Sequence, residues 1–101
     1  MKKYSIVYSQ EANDDIESLY YFIINEYKAY QTADKYVQGL EDTIKQLATN
    51  AESFKTQQNR WLIKYGNSVR RVNYQKMAVI YTVENNIVFI RRVIAQSLIT
   101  E

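Results

Sequence analysis

Three runs of β-branched and aromatic residues within residues 68–94 constrain the fold of this chain more than any other feature. Each run has the composition that a pleated, half-buried strand selects. The runs are Val69–Tyr74, Met77–Val83 and Ile87–Ile94. Asn85-Asn86 is a two-residue hairpin signal because asparagine tolerates the left-handed conformation that such a turn requires. Gln75-Lys76 is a weaker hairpin signal. The three runs and the two turn signals between them predict a three-stranded antiparallel meander.

Two arginine pairs lie in this meander, Arg70-Arg71 in its first strand and Arg91-Arg92 in its third. Because successive strand side chains point to opposite faces, we expect one arginine of each pair on each face. A sheet face that carries guanidinium groups suits phosphates or the carboxylates of a protein ligand. The alternative is that these positions simply keep an exposed face soluble. The register decides which arginine of each pair faces outward, and a one-residue slip reverses the assignment.

The chain contains no cysteine and no histidine. A disulfide framework, a structural zinc site, a cysteine nucleophile and a Ser-His relay are therefore excluded. With only Gly39 and Gly66, a glycine-rich phosphate loop is excluded as well. An enzyme built from this chain would use Lys, Arg, Tyr, Asp or Glu as its acids and bases, and we expect no metal and no cofactor.

The 101 residues, 47% of them hydrophobic and 24% charged, are typical of one globular domain over residues 1–101. Residues 1–50 hold five Lys and eight Asp or Glu, a net charge of −3. Residues 51–101 hold eight Lys or Arg and three Glu, a net charge of +5, so the sum is +2. This asymmetry favours a basic working surface on an acidic scaffold. No apolar run approaches the ~20 residues of a membrane span, and we expect a cytoplasmic protein.

A strand and a helix are predicted before the meander. Residues 3–9 alternate as a first strand, one side of which carries Tyr4, Ile6 and Tyr8. Ser9 is a predicted N-cap, and the acidic residues that follow it suit a helix N-terminus. The first helix should end near Tyr27-Lys28, and its apolar stripe comprises Ala12, Ile16, Leu19, Tyr20, Ile23 and Tyr27.

A second helix is predicted to follow, with Thr32 as its cap. Its apolar stripe comprises Ala33, Tyr36, Val37, Leu40, Ile44, Leu47 and Ala48. Because the connection from Lys28 to Thr32 is short, the two helices should form an antiparallel hairpin. Gly39 lies beside the stripe at a cost of up to about 1 kcal/mol relative to alanine. Either it allows close approach of the first helix, or it is a tolerated surface glycine.

The segment from Asn50 to Asn67 is too apolar for a free linker. We expect a loop that packs on the core, with an extra short strand around Leu62–Tyr65. Trp61 with Arg60 and Lys64 is a candidate recognition cluster, although a tryptophan that covers the core is the favoured interpretation.

The complete order predicts an α+β domain of the form β-α-α-β-β-β. A helical hairpin should pack on one face of a mainly antiparallel sheet, because the two apolar stripes need a surface to cover. The outward arginines are then expected on the opposite face.

In order and spacing, the residues resemble the RelE/ParE superfamily of bacterial type II toxin–antitoxin toxins, also known as plasmid stabilisation proteins. The resemblance spans nearly the whole chain, and it is carried by Ser9–Ile16, Tyr20–Ile23, Ala33–Val37, Ile44–Leu47, Val69–Val72, Val79–Val83 and Val88–Val93. It implies a small toxin that a cognate antitoxin neutralises by wrapping the sheet and helices. RelE-like members cleave mRNA in the ribosomal A site, whereas ParE-like members poison DNA gyrase and lack the catalytic residues of the RelE-like nucleases.

The chain departs from the nuclease pattern after the last strand, where family members often place His or Arg. Ala95, Gln96 and Ser97 occupy these positions here. RNA cleavage by 2′-OH attack needs a base, an acid for the leaving oxygen and cations for the phosphorane. The arginines can supply the cations, but a general base poised near neutral pH is missing. This difference favours a ParE-like toxin.

Three functions stay open. The favoured one is a non-catalytic toxin that inhibits DNA gyrase by binding; its predicted partner-binding residues are Arg70, Arg71, Arg91, Arg92, Trp61 and Lys64. The second is a ribosome-dependent mRNA endonuclease, which would draw on Arg70, Arg71, Tyr74, Lys76, Tyr81, Arg91 and Lys64. The third is a degenerate, non-toxic member that only binds its antitoxin. In each case we expect the antitoxin to be a small acidic protein encoded alongside.

Overall fold

The computed structural model describes residues 3–99. Its helices and strands are β1 (Ser5–Tyr8), α1 (Gln10–Tyr27), α2 (Tyr30–Lys45), a one-turn α3 (Leu47–Asn50), β2 (Arg70–Tyr74), β3 (Met77–Glu84) and β4 (Ile87–Ala95). Short 3-10 turns cover Ala51–Ser53, Ile63–Tyr65 and Gln96–Leu98. The predicted α+β order is confirmed, with the helices packed on one face of a four-stranded sheet.

The sheet has the order β1-β4-β3-β2, in which β1 is parallel to β4 and the other neighbours are antiparallel. β2, β3 and β4 are joined by two-residue turns, which confirms the predicted meander. Gln75 and Asn85 take the left-handed conformation in these turns, with φ of 50° and 56°. β1 and β4 can pair in parallel because the whole helical layer lies between them in the chain.

Helix α1 begins and ends where the sequence predicts. The Ser9 hydroxyl accepts the backbone N–H of Ala12 at 3.0 Å and donates to the carbonyl of Arg91 at 2.9 Å. It therefore caps the helix and ties it to β4. Lys28 ends the helix in the left-handed conformation, with φ of 55°, and reverses the chain.

The predicted cap of the second helix is wrong. Helix α2 begins at Tyr30, its N-cap is Ala29, and no side chain caps it. Thr32 therefore lies inside the first turn. Because Lys28 already reverses the chain, only Lys28 and Ala29 separate the two helices, and the connection is shorter than the capping pattern indicated.

Gly39 makes a close approach to the sheet and not, as one of the two alternatives supposed, to the first helix. A Cβ atom at this position would lie 2.1 Å from the hydroxyl oxygen of Tyr74 in β2. The Tyr74 ring also packs edge-on against Tyr36 of α2, with ring centroids 5.2 Å apart. The glycine thus lets a sheet tyrosine lie directly on the helix backbone.

Two apolar cores lie on opposite faces of the sheet. On the helix-covered face the core includes Tyr4, Leu40, Ile44, Val72, Val79, Tyr81, Val88 and Ile90. On the other face, called the far face below, a smaller core comprises Leu62, Val69, Ala78, Ile80 and Ile94, with Trp61, Tyr65 and Ile99 packed against it. The interpretation of Trp61 as a residue that covers the core is confirmed.

The segment between α3 and β2 supplies the cover of the far face, and the extra strand predicted within it is wrong. Ile63–Tyr65 forms a 3-10 turn, and the preceding Leu62 is completely buried. A tight turn lets Leu62 and Tyr65 reach the sheet while Ile63 faces solvent, at 56% exposure. This arrangement explains why the apolar residues of the segment show no strand alternation.

Candidate functional site

The far face carries three of the four meander arginines. Cross-strand pairing places Arg71 opposite Ile80 and Ile80 opposite Arg92, so these side chains form one row on this face. Arg70 pairs with Tyr81, which belongs to the helix-side core, so Arg70 lies on the helix-covered face.

The expectation that Arg91 and Arg92 lie on opposite faces is wrong, because β4 contains a β-bulge. Ile80 pairs with Arg92 and Tyr81 pairs with Ile90, which leaves Arg91 as an extra residue in β4. An extra residue interrupts the alternation of side chains along a strand. Both guanidinium groups therefore project from the far face.

Arg92 is held by α1. Its Nε and Nη2 atoms donate to the two carboxylate oxygens of Asp15 at 2.7 and 3.0 Å, and Nη1 donates to the Tyr65 hydroxyl at 3.3 Å. Asp15 also accepts the backbone N–H of Val93 at 2.9 Å. The hydrogen bonds to Asp15 raise the pKa of Arg92 above its ordinary value. Arg92 is consequently a fixed, permanently charged group.

Arg91 lies partly exposed on the far face. Its Nε donates to the Thr82 hydroxyl at 2.9 Å, and its guanidinium lies over the Phe89 ring, 4.9 Å from the centroid. Glu84 lies 4.0 Å away, at the limit of an ion pair, and the Arg91 side chain is 33% exposed. Arg91 is thus oriented by stacking while its charge stays accessible to a partner.

Arg71 is oriented by amides. Its Nε donates to Asn73 at 2.8 Å and its Nη2 donates to Gln96 at 3.0 Å. Gln96 itself donates to the carbonyl of Gln75 at 2.6 Å, which fixes it at the end of the sheet. Since no acidic group within residues 3–99 forms an ion pair with Arg71, its positive charge is not neutralised locally.

Lys64 and Trp61 form a second cluster on the loop cover. The Lys64 Nζ atom lies 4.3 Å from the Trp61 ring centroid and 5.2 Å from that of Tyr65. Because Tyr65 also contacts Arg92, the cluster adjoins the arginine row. The loop cover thus extends the basic surface of the far face.

Arg70 and Tyr81 have a structural role on the helix-covered face. Arg70 donates to the carbonyl oxygens of Glu52 and Phe54, and the Tyr81 hydroxyl donates to that of Ala51 at 2.6 Å. Tyr81 is completely buried, and burial raises its pKa far above the ordinary tyrosine value. Both side chains therefore tie the end of the helical layer to the sheet.

The remaining catalytic candidates lie elsewhere. Tyr74 packs on Gly39 and Tyr36 beneath α2. Lys76 is exposed in the turn between β2 and β3. The far face as a whole holds guanidinium groups, amides and hydroxyls, which bind and orient anionic groups but do not exchange protons readily near neutral pH.

Three residues of this surface escaped the sequence interpretation, namely Asp15, Tyr65 and Gln96. Asp15 is one of several acids in the first turns of α1, which together indicate only a favourable helix N-terminus. Tyr65 and Gln96 lie outside regular strands, where side-chain direction has no periodicity to reveal it. Only their tertiary contacts show that these three residues belong to this surface.

None of the helices within residues 3–99 combines the length and the apolarity that a bilayer span requires.

Comparison with known proteins identifies the family. The model of a family described as the ParE toxin of the type II toxin–antitoxin system, parDE, matches residues 6–98. A solved structure described as the chromosomal ParDE TA system from P. aeruginosa has the same fold, with a TM-score of 0.76. That similarity covers 92% of this chain and 96% of the other at 17% sequence identity. A search of curated protein sequences finds no match.

The strand and helix order, the meander and the match over residues 6–98 agree with one another. The chain belongs to the ParE family of type II toxin–antitoxin toxins.

Proposed function

We propose that this toxin inhibits DNA gyrase by binding to it, and that a cognate antitoxin neutralises the toxin by covering the same basic surface. The family supports the role of toxin. The choice of a binding mechanism over RNA cleavage rests on the arrangement of the candidate residues.

The observation that carries the proposal is the separation of the catalytic candidates by the sheet. Arg70, Tyr74 and Tyr81 lie on the helix-covered face, whereas Arg71 and Arg91 project from the far face. Acid–base catalysis requires its groups within hydrogen-bond reach of one reacting centre. Groups on opposite faces do not meet this requirement, and the buried Tyr81 hydroxyl already donates to a carbonyl.

The far face instead has the features of a docking surface. Arg71, Arg91 and Lys64 supply positive charge beside the second core, and Arg92 lies among them in its ion pair with Asp15. Fixed charge beside apolar surface gives fast and specific association with an acidic partner. An extended antitoxin segment with acidic and apolar side chains would match this surface.

The gyrase proposal is tested with purified toxin in supercoiling and cleavage assays. We expect loss of supercoiling and gain of linear plasmid. Lys64→Glu/Arg91→Glu should weaken both effects by about tenfold or more, because it reverses two accessible charges on the far face. Lys35→Glu/Lys45→Glu makes the same charge change on exposed positions of α2 and should act like the wild type.

Gyrase that is untouched by the wild-type protein would overturn this proposal. Codon-phased transcript ends after induction would then identify a ribosome-dependent nuclease. Normal growth under strong expression, with intact transcripts, would identify a non-toxic family member.

The antitoxin proposal has a separate test. Co-expression with the small acidic protein encoded alongside should give a complex that survives purification, and Lys64→Glu/Arg91→Glu should weaken it while the α2 variant does not. Failure of the wild-type chain to co-purify, or equal complex formation by both charge variants, would contradict the proposed surface.

A further inference from the structure

A small basic depression, called the Arg71 site below, lies where the turn between β2 and β3 meets the end of β4. Its cavity encloses about 380 Å³ and is lined by Gln75, Lys76, Ala95, Gln96 and Ser97. Arg71 of the far face adjoins the cavity, because its Nη2 donates to the Gln96 side chain at 3.0 Å. A guanidinium, an exposed lysine and an exposed serine therefore lie around one small space.

Hydrogen bonds fix the frame of the Arg71 site without using an acidic group. The backbone N–H of Gln96 donates to the carbonyl of Lys76 at 2.8 Å, and its side chain donates to that of Gln75 at 2.6 Å. The remaining amide oxygen of Gln96 and that of Asn73, at 2.8 Å from Nε, hold the Arg71 guanidinium in place. Because both acceptors are neutral, they orient the guanidinium and leave its charge uncompensated.

The Arg71 site keeps hydrogen-bond donors for an anionic ligand. Within residues 3–99 the Nη1 atom of Arg71 has no hydrogen-bond partner, and neither Arg71 nor Lys76 forms an ion pair. A guanidinium that is already oriented loses little conformational entropy when it binds an anion.

The donor set of the Arg71 site suits phosphate better than carboxylate. A planar carboxylate accepts hydrogen bonds mainly in its own plane, whereas a tetrahedral phosphate accepts from donors that surround it. Arginine, lysine and serine side chains are the usual partners of phosphate oxygens in protein–DNA interfaces. Arg71, Lys76 and Ser97 bring these three groups together at one cavity.

We propose that the Arg71 site binds a backbone phosphate of DNA, with Arg71 and Lys76 as its cationic ligands. The inference rests on the proposed function, because gyrase is the enzyme that would bring DNA to the far face. It goes further by assigning one part of this face to DNA and not to a protein partner. Since β3 separates β2 from β4, the Arg71 site lies roughly 10 Å from the Arg92 backbone. A phosphate and a protein group can therefore be bound side by side.

The test is a fluorescence-anisotropy titration of the full-length chain, without gyrase, against a labelled DNA duplex of about 20 base pairs. We expect a dissociation constant of about 1–100 μM at low ionic strength, which rises with salt concentration because counterions are released from the DNA. Arg71→Gln/Lys76→Gln should weaken binding by about tenfold or more. It should also reduce the slope of log Kd against log salt concentration by about one, since one phosphate contact is lost.

Two control variants separate the Arg71 site from general positive charge and from misfolding. Lys28→Gln/Lys45→Gln makes the same charge change at exposed positions outside the site and should keep the wild-type affinity and salt slope. Lys76→Gln alone changes an exposed turn residue, so it should fold normally and still weaken binding by about threefold. Circular dichroism verifies the fold of each variant.

Four outcomes would overturn the inference. These are no binding of DNA at low ionic strength, equal losses in the site and control variants, an unchanged salt slope, and displacement of DNA by an oligoglutamate peptide of equal charge at the same concentration. The last result would assign the site to a protein carboxylate. Inhibition of gyrase without binding of DNA would overturn this inference alone, whereas binding of DNA through Arg71 with gyrase untouched would overturn the gyrase proposal alone.

Discussion

At the scale of single residues, several polar side chains of this toxin bond to backbone atoms of distant segments. Tyr81 and Arg70 of the sheet donate to carbonyls of residues 51–54 at the end of the helical layer. Carbonyls at the end of a helix have no partner within it, and the bond from Tyr81 satisfies the buried carbonyl of Ala51. These contacts fix where the chain leaves the helical layer.

Tyr81→Phe should destabilise the protein by about 1–1.5 kcal/mol at neutral pH, since the buried carbonyl of Ala51 loses its donor. The substitution should also reduce the stability that the protein loses as the pH becomes alkaline. Burial raises the pKa of Tyr81, so the folded state holds this proton more tightly than the unfolded state does. The resulting stabilisation is complete below the ordinary tyrosine pKa of 10.0 and is lost as the pH rises above it.

Urea unfolding at neutral pH and above the ordinary tyrosine pKa measures both effects. The control is Tyr27→Phe, which removes the hydroxyl of a tyrosine that is 67% exposed. Wild-type stability for Tyr81→Phe at neutral pH, or an alkaline loss as steep as that of the wild type, would contradict the assigned role.

Gly39→Ala should destabilise the protein by about 1–2 kcal/mol, because the new methyl group overlaps the Tyr74 ring. In a Tyr74→Ala background the same substitution should instead stabilise by up to about 1 kcal/mol, since alanine is the better helix former. A double-mutant cycle from denaturant unfolding measures this change of sign. The same effect in both backgrounds would mean that Tyr74 is not the obstacle.

At the scale of elements, α1 is attached to β4 beyond the end of β1. Where β1 ends, Ser9 donates to the carbonyl of Arg91 and Asp15 accepts the N–H of Val93. Ser9 and Asp15 thus form hydrogen bonds with backbone groups of β4 that a longer first strand would have paired. The ion pair between Asp15 and Arg92 strengthens this junction.

Asp15→Asn should destabilise the protein by about 1–3 kcal/mol, because an amide replaces the charged acceptor of the Arg92 guanidinium. Asp14→Asn, at the exposed neighbouring position, is the matched control and should stay within about 0.5 kcal/mol of the wild type. Thermal unfolding of both variants decides the point. Equal midpoints would show that the pair contributes nothing to the junction.

At the scale of the whole molecule, one sheet is shared by two cores. Val79 and Tyr81 face the helices, whereas Ala78 and Ile80 of the same strand pack under the loop cover. Because each core needs the sheet in place, we expect the chain to unfold in one cooperative transition, as a single domain does.

Leu62→Ala should destabilise the protein by about 2–4 kcal/mol, since Leu62 is completely buried in the smaller core. Ile63→Ala, the adjacent and mostly exposed position, should have a small effect. Unfolding followed by tryptophan fluorescence and by circular dichroism should give one coincident transition in each variant. Separate transitions would show that the far-face cover folds independently of the helical layer.

The elements that depend on local periodicity and turn chemistry could be predicted from the sequence. The three strands of the meander, the Ser9 cap and the end of α1 near Lys28 were all predicted, because each is specified by neighbouring residues. The α+β order followed from the apolar stripes of the helices and strands, which must cover one another.

Which residues meet across the sheet depends on tertiary contacts that the sequence pattern does not show. One extra residue in β4 moved Arg91 and Arg92 to the same face, and the glycine at position 39 is explained by its contact with Tyr74 of β2. The loop over the far face has no periodicity, so its turn at Ile63–Tyr65 could not be predicted. Bulges, close approaches and irregular covers depend on contacts between distant residues, and a local sequence pattern does not record those contacts.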